Sequence, residues 1–316
     1  MNIQVGKQTG LAQIEINGVS YNSEPGQRPV LVDGCDTIPK LFQTRCMALR
    51  DRTAHREKDM GIWKSFSWTT YWEQSKWIGL GLVSLGLRRG EVVSILSEDR
   101  REWLYTDMGV QGVGGIASGV YTTDSASQLA YLVNDSGSRF LFVENDEQLD
   151  KYLEIADQVP DLAKVIIYDR DGLHDLQQDK CMFIEDLIAL GKAYEAKIPG
   201  AFEVEIAKSR PEDTAMLIYT SGTTGMPKGA MLGHENIMAS IEAGARALAV
   251  DPEDEQLCFL PLCHILERNV SVYFPLAASS TVNFAESPEN KSATVLAPVN
   301  QVFASPVRIA SPSQVA

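Results

Sequence analysis

Tyr219-Thr220-Ser221-Gly222-Thr223-Thr224-Gly225-Met226-Pro227-Lys228-Gly229 is the stretch on which the reading of this chain turns. Met216 to Ile218 before it and Ala230 to Leu232 after it are apolar and read as two short strands, which makes the stretch the long loop of a hairpin. Gly222, Gly225 and Gly229 permit positive φ and close backbone approach, so successive N–H groups can converge on phosphate oxygens. Thr220, Ser221, Thr223 and Thr224 add hydroxyl donors, and Lys228 adds a point charge suited to the β- and γ-phosphates of a nucleotide. It is not a Walker A loop, because Gly229 follows the lysine where Ser or Thr is required and Pro227 removes a donor just before it. Four hydroxyl side chains, three glycines and one lysine in eleven residues between strands distinguish it from an ordinary surface turn.

Outward from the loop, helical and strand signals alternate from about residue 70. That is the mark of βαβ units, so the expected class is α/β, with mostly parallel sheets flanked by helices. Ile78, Leu82 and Leu85 share one face of a helix predicted over Thr70 to Leu87, and Val92 to Leu96 reads as a buried strand. A helix is predicted from Arg101 to about Ser118, then one capped by Asp124 or Ser125, with strands at Phe140 to Val143 and Val165 to Tyr168 around a helical Asp146 to Gln158. Residues Gly191 to Pro211 read as the connector between lobes. The expected division is an N-terminal extension (1–34), a first α/β subdomain (35–210), the start of a second carrying the loop (211–289), and an aberrant, disordered tail (290–316).

The chain has 316 residues, 28 Lys plus Arg against 42 Asp plus Glu, and a net charge of −14. An excess of acid argues against a partner held by its phosphate backbone, so no nucleic acid is expected. Five scattered cysteines without a C-x-x-C pair fit a reducing, cytoplasmic setting, and no histidine spacing suggests a metal site. No 18-residue apolar run is present, which leaves only peripheral contact with a membrane open. Gly112-Val-Gly114-Gly115-Ile-Ala117 matches the dinucleotide pattern G-x-G-x-x-A, but it follows a predicted helix rather than a strand; its small residues read as close helix packing. No G-x-S-x-G elbow supports a serine hydrolase.

The loop resembles the phosphate-binding signature of the adenylate-forming (AMP-binding) superfamily. A second segment, Phe259-Leu-Pro-Leu-Cys-His264-Ile-Leu-Glu-Arg268, resembles the histidine segment of its long-chain fatty acyl-CoA synthetase branch. Phe66-Ser67-Trp68 and Leu96-Ser97-Glu98 through Glu102-Trp103 to Tyr121 are similar to the N-terminal part of that branch, and the resemblance spans about residues 35 to 289. It implies a carboxylate attacking the α-phosphorus of ATP, loss of pyrophosphate, and opening of the acyl-adenylate by the thiol of coenzyme A. It implies Mg²⁺ with the ATP, a fatty acid as the acid, and nucleotide contacts from Thr220, Ser221, Gly222, Thr223, Thr224, Gly225 and Lys228. Lys228, Thr224 and His264 are the implied catalytic groups. His264 has two readings, a ring facing the acyl-adenylate site or a cap on a helix over Ile265 to Leu276, and the order of the motifs favours the first. Glu267 and Arg268 read as a local ion pair or solvated helix face.

The same resemblance calls for an adenine-side Y-G-x-T-E element, a ribose-binding aspartate and a catalytic lysine beyond the histidine segment, and none occurs. Residues 290–316 hold no acidic side chain and are dominated by Ala, Val, Ser and Pro. The expectation is a truncated ligase, the alternatives being an adenylate-forming enzyme for another acid or an inactive nucleotide-binding remnant.

Overall fold

The structure, a computed structural model, describes residues 5–6, 13–22, 28–173, 176, 178–220, 225–248 and 250–285. Strands β1 Val5–Gly6, β2 Gln13–Ile16 and β3 Val19–Asn22 make a small antiparallel sheet whose β2–β3 turn is Asn17-Gly18, both residues at positive φ. After α1 Ile38–Leu49 come the hairpin β4 Thr53–Asp59 and β5 Ile62–Ser67, then α2 Trp68–Ser84. Ser67 starts α2 because its hydroxyl accepts from the Thr70 N–H at 3.1 Å, and the helix buries Trp68, Tyr71, Trp72, Ile78 and Leu82.

Five strands and five α-helices follow. They are β6 Val92–Leu96, α3 Arg101–Gly112, β7 Ile116–Val120, α4 Ala126–Ser136, β8 Ser138–Val143, α5 Asp146–Ile155, β9 Lys164–Ile167, β10 Cys181–Phe183, α6 Ile184–Lys197 and α7 Ala201–Ala207. The chain then makes β11 Thr214–Thr220, β12 Lys228–Gly233, α8 His234–Leu248, β13 Glu255–Cys258, α9 Ile265–Arg268, α10 Phe274–Ala278 and β14 Thr281–Phe284. A reciprocal capping box between Ser125 and Gln128 starts α4, and left-handed Gly137 ends it.

The main sheet has seven strands in the order β10-β9-β8-β6-β7-β11-β12, parallel except for β12. Its central strands β6 and β7 are wholly buried, as expected of a sheet covered on both faces. Val93, Ile95, Phe140, Phe142 and Ile166 pack toward α1, α2 and α3, while Leu96, Val120, Leu141, Val143 and Val165 pack toward α4 and α5. A second sheet has the order β13-β14-β4-β5, its first three strands parallel.

Three expectations are corrected. The helix predicted to reach Ser118 stops at Gly112, because Gly114 turns the chain at φ +79° into β7. The glycine pattern therefore crosses from helix to strand, the reverse of a dinucleotide turn, and Gly112 is small because the Phe202 ring lies against it. Gly191 to Pro211 is not an open connector: α6 and α7 pack there, with Phe202 and Ile206 fully buried, and β11 hydrogen-bonds to β7, so residues 210–211 lie inside one sheet's connectivity. The helix expected over Ile265 to Leu276 is two short helices joined by a wider turn over Asn269–Tyr273.

Candidate functional site

The two arms of the loop close as an antiparallel ladder, with Tyr219 opposite Gly229 and Thr220 opposite Lys228. Side chains of α4 hold this base from below. The Tyr219 hydroxyl donates to Asp135 Oδ2 at 2.8 Å, and the Tyr131 hydroxyl donates to the Pro227 carbonyl at 2.9 Å. Gly229, which was free to take positive φ, lies instead in strand β12 without it. Gly229 is small for a different reason: a Cβ there would sit 3.2 Å from the Tyr219 ring carbon Cζ. Ser221, Gly222, Thr223 and Thr224 lie outside the described residues. Thr220 and Lys228 are exposed, and Lys228 makes no ion pair among the described residues. A cation held at the loop base with its charge unspent is what an anionic ligand needs.

A cavity of about 430 Å³ opens beside this base, lined by Gly119 in β7 and Tyr121 just after it, Asp124, Gln128 and Leu132 on or before α4, Ile218 to Thr220, Pro227, and His264 with Ile265. Its volume lies in the range of small-molecule sites, roughly 300 to 1,000 Å³. Thus Thr220 from the loop and His264 from a segment far along the chain border one space, while burial raises the carboxyl pKa of Asp124 beside them.

His264 takes the capping reading and also borders the cavity. It is the N-cap of α9, its Nδ1 accepting from the Leu266 N–H at 3.2 Å, and it is exposed at the cavity wall. Because Nδ1 accepts, the neutral ring carries its proton on Nε2, which is left as a donor.

The histidine turn is held against the main sheet at two points and braced within its own segment at a third. Asp99 Oδ1 accepts from the Leu262 N–H at 2.8 Å, Glu267 Oε1 accepts from the Phe259 N–H at 3.1 Å, and Gly119 lies so close that a Cβ there would meet Cys263 Cα and Cβ at 2.7 Å. Glu267 and Arg268 overturn their expected role as a surface pair, since both are buried. The Arg268 guanidinium bonds Asp107 on α3 and lies 4.9 Å from the centre of the Trp103 ring, while Glu267 also accepts from the Ser271 hydroxyl at 2.5 Å. Only a buried partner makes a buried charge tolerable, and Asp107 sits on the inward face of α3 among Trp103, Leu104, Met108 and Val110. An acid on an otherwise apolar helix face was the signal for it. Asp99, Tyr121, Asp124 and Gln128 carried no comparable signal.

Among the described residues no group of three or more His, Cys, Asp or Glu is placed to hold a metal ion, so these side chains offer no cage for Mg²⁺.

Residues 42–304 match the family described as AMP-binding enzyme. This chain belongs to the AMP-binding enzyme family. Within it, the chain is similar to a long-chain-fatty-acid–CoA ligase of Xenopus laevis, 33% identical over 255 residues, covering 79% of this chain and 34% of that protein. A long-chain-fatty-acid–CoA ligase of Bos taurus is 31% identical over 263 residues, covering 82% and 36%. The chain therefore spans about a third of the length of these curated relatives. In fold it resembles an anthranilate CoA ligase solved with anthranoyl-AMP, with a TM-score of 0.71, 23% identity, and 82% of this chain on 47% of that one. ATP-bound MatB from Rhodopseudomonas palustris gives 0.65 and 22%, with 82% and 47% covered. An α/β architecture of mostly parallel, helix-flanked strands is thus that of the N-terminal part of adenylate-forming enzymes.

Proposed function

We propose that this chain is the nucleotide-binding part of an ATP-dependent long-chain fatty acid–CoA ligase. The observation that carries the reading is the cavity bordered by both Thr220 and His264, one from each family segment, with Lys228 paired opposite Thr220 in the hairpin ladder. In the proposed first step a carboxylate oxygen attacks the α-phosphorus of ATP in line with the departing pyrophosphate. Both groups are anions, so the main demand is charge neutralisation and positioning. Lys228 and the loop N–H groups would meet the departing phosphates, with Thr220 and Thr224 contacting them directly. The Nε2–H of His264 would donate toward the carboxylate or acyl-adenylate. In the second step the coenzyme A sulfur attacks the acyl carbonyl and AMP leaves.

The fatty acid is favoured by the Phe259 to Arg268 segment and by the two named ligases. A second reading keeps the adenylate chemistry and changes the acid, supported by the likeness in fold to the anthranilate ligase. Pyrophosphate exchange with the purified chain across acids of increasing length separates them. Exchange that rises with chain length supports the first reading, exchange with short or aryl acids alone supports the second, and none with any acid refutes both as activities of this chain. ATP titration with Lys228→Ala tests the loop by itself. Removing an exposed cation that has no ion pair among the described residues leaves the fold intact and weakens ATP binding roughly tenfold or more, the scale of one charge-assisted hydrogen bond.

A further inference from the structure

Two hairpins in this chain turn on residue pairs of the same backbone shape. Asn17 and Gly18 take φ of +50° and +81°, and Met60 and Gly61 take +46° and +79°. Two-residue turns with both φ positive favour Asn-Gly, because asparagine tolerates the left-handed region and larger apolar residues do not. The β4–β5 turn thus accepts backbone strain in order to carry methionine. Packing gives no return for it: Met60 is 88% exposed and Ile62 is 68% exposed, against a protein whose other hairpin uses the expected residue.

The register sorts the neighbouring side chains. Asp59 faces Ile62, Lys58 faces Trp63 and Glu57 faces Lys64, so Ile62 and the partly exposed Trp63 lie on opposite faces of the ribbon with Met60 at its end. Lys58 stands opposite Trp63, Lys64 stands one pair further back and bonds the Asp59 carboxylate, and the segment from Lys58 to Lys64 is net positive on a chain of −14. An apolar point with a tryptophan and the facing Lys58 behind it matches the depth profile of a bilayer surface, where apolar groups reach the acyl boundary, indole rings favour the headgroup region and lysines extend to lipid phosphates. The direction also fits. Strands β13, β14 and β4 are parallel, so the hairpin tip leaves the second sheet at the same end from which the chain runs from Cys258 into the His264 turn.

We infer that the Met60–Trp63 tip is a membrane-contact element that dips reversibly into an anionic bilayer. No helix among the described residues is long and apolar enough to cross a membrane, so contact of this chain through the tip is of the peripheral kind. Its use, holding the site against the phase in which a long-chain acid is dissolved, rests on the proposed function; the contact itself does not, and its test contains no substrate.

The test is flotation of the purified 316-residue chain with vesicles of phosphatidylcholine and phosphatidylserine. The chain floats with the vesicles, and the double variant Met60→Asp/Ile62→Asp loses at least about fivefold in bound fraction. Met60→Asn guards against misfolding: asparagine suits the turn, so thermal stability is kept or raised while vesicle binding falls. Tryptophan emission of the wild type shifts to the blue on vesicles, and Trp63→Phe removes that shift. A wild type that stays with the aqueous fraction overturns the inference, as does equal binding by the double aspartate variant. So does a wild type that self-associates through the tip without binding vesicles, the association vanishing in the variant.

Discussion

Asp107→Asn should damage this protein far more than its conservative chemistry suggests. The carboxylate is fully buried and so is Arg268; three donors converge on it, the Arg268 guanidinium, Gln111 Nε2 at 2.8 Å from Oδ1 and the Tyr273 hydroxyl at 3.3 Å from Oδ2. Asparagine presents one acceptor oxygen and no charge, so the guanidinium is left buried without its counter-ion. Breaking such a pair from one side costs about 3–5 kcal/mol. With a urea slope of about 2 kcal/mol per molar, the unfolding midpoint falls by about 2 M. Replacing both partners by apolar residues, Asp107→Leu with Arg268→Met, removes the unpaired charge and brings stability back to within about 1 kcal/mol of wild type or above it. Circular dichroism during urea unfolding of the wild type, the single variant and the double variant decides the matter. A single variant within about 1 kcal/mol of wild type, or a double variant as unstable as the single, would refute the claim that this pair's cost lies in its buried charge.

Three further outcomes are expected. His264→Asn keeps a good N-cap and holds thermal stability, whereas His264→Ala loses about 1 kcal/mol; both lose acid-dependent pyrophosphate exchange, and an asparagine variant with full exchange would show the ring to be a cap alone. Gly119→Ala pushes a methyl into Cys263, costing about 1–3 kcal/mol by overpacking and weakening ATP binding measured by calorimetry, because the His264 turn must move. Burial, with Arg101 adding to it, lowers the His55 pKa from 6.5 to about 3, and burial lowers that of His234 from 6.5 to about 4. The unfolded chain therefore takes up protons that the folded chain refuses, and stability is full above about pH 6.5 and drains as the pH falls toward those values, by an amount on the order of a few kcal/mol. His55→Gln should flatten that slope in denaturation curves taken between pH 7 and 4, a window set by the two shifts.

The parallel architecture was readable because its strands are short apolar runs set between amphipathic helices with recognisable starts, as Ser125 and Gln128 before Leu129 illustrate. The hairpin around Tyr219 to Gly229 was readable from the apolar arms alone. Less legible was anything that depends on what lies across a gap in sequence. Glu267 and Arg268 look like an exposed pair from one turn of helix, and only the approach of α3 supplies Asp107 and turns them inward. Gly229 looked like a backbone device, yet it is small because the Tyr219 ring occupies the space a side chain would fill. The stretch from Gly191 to Pro211 looked like a linker because its polar surface residues outnumber the few, Phe202 and Ile206, that anchor it.

The place of β11 in the main sheet bears on how the molecule assembles. Its parallel neighbour is β7, with Met216 beside Ala117 and Leu217 beside Ser118, and all of β8, β9, β10 and four helices intervene in the chain. Closing so long a separation is entropically costly before any contact rewards it, so β6 to β9, whose pairings are more local, are expected to form first. The nucleotide loop hangs from the pair of strands that join afterward. Nucleotide affinity should therefore return late in refolding, after most of the helical signal has been regained, and the loop's arms report on completion of the sheet rather than on its beginning.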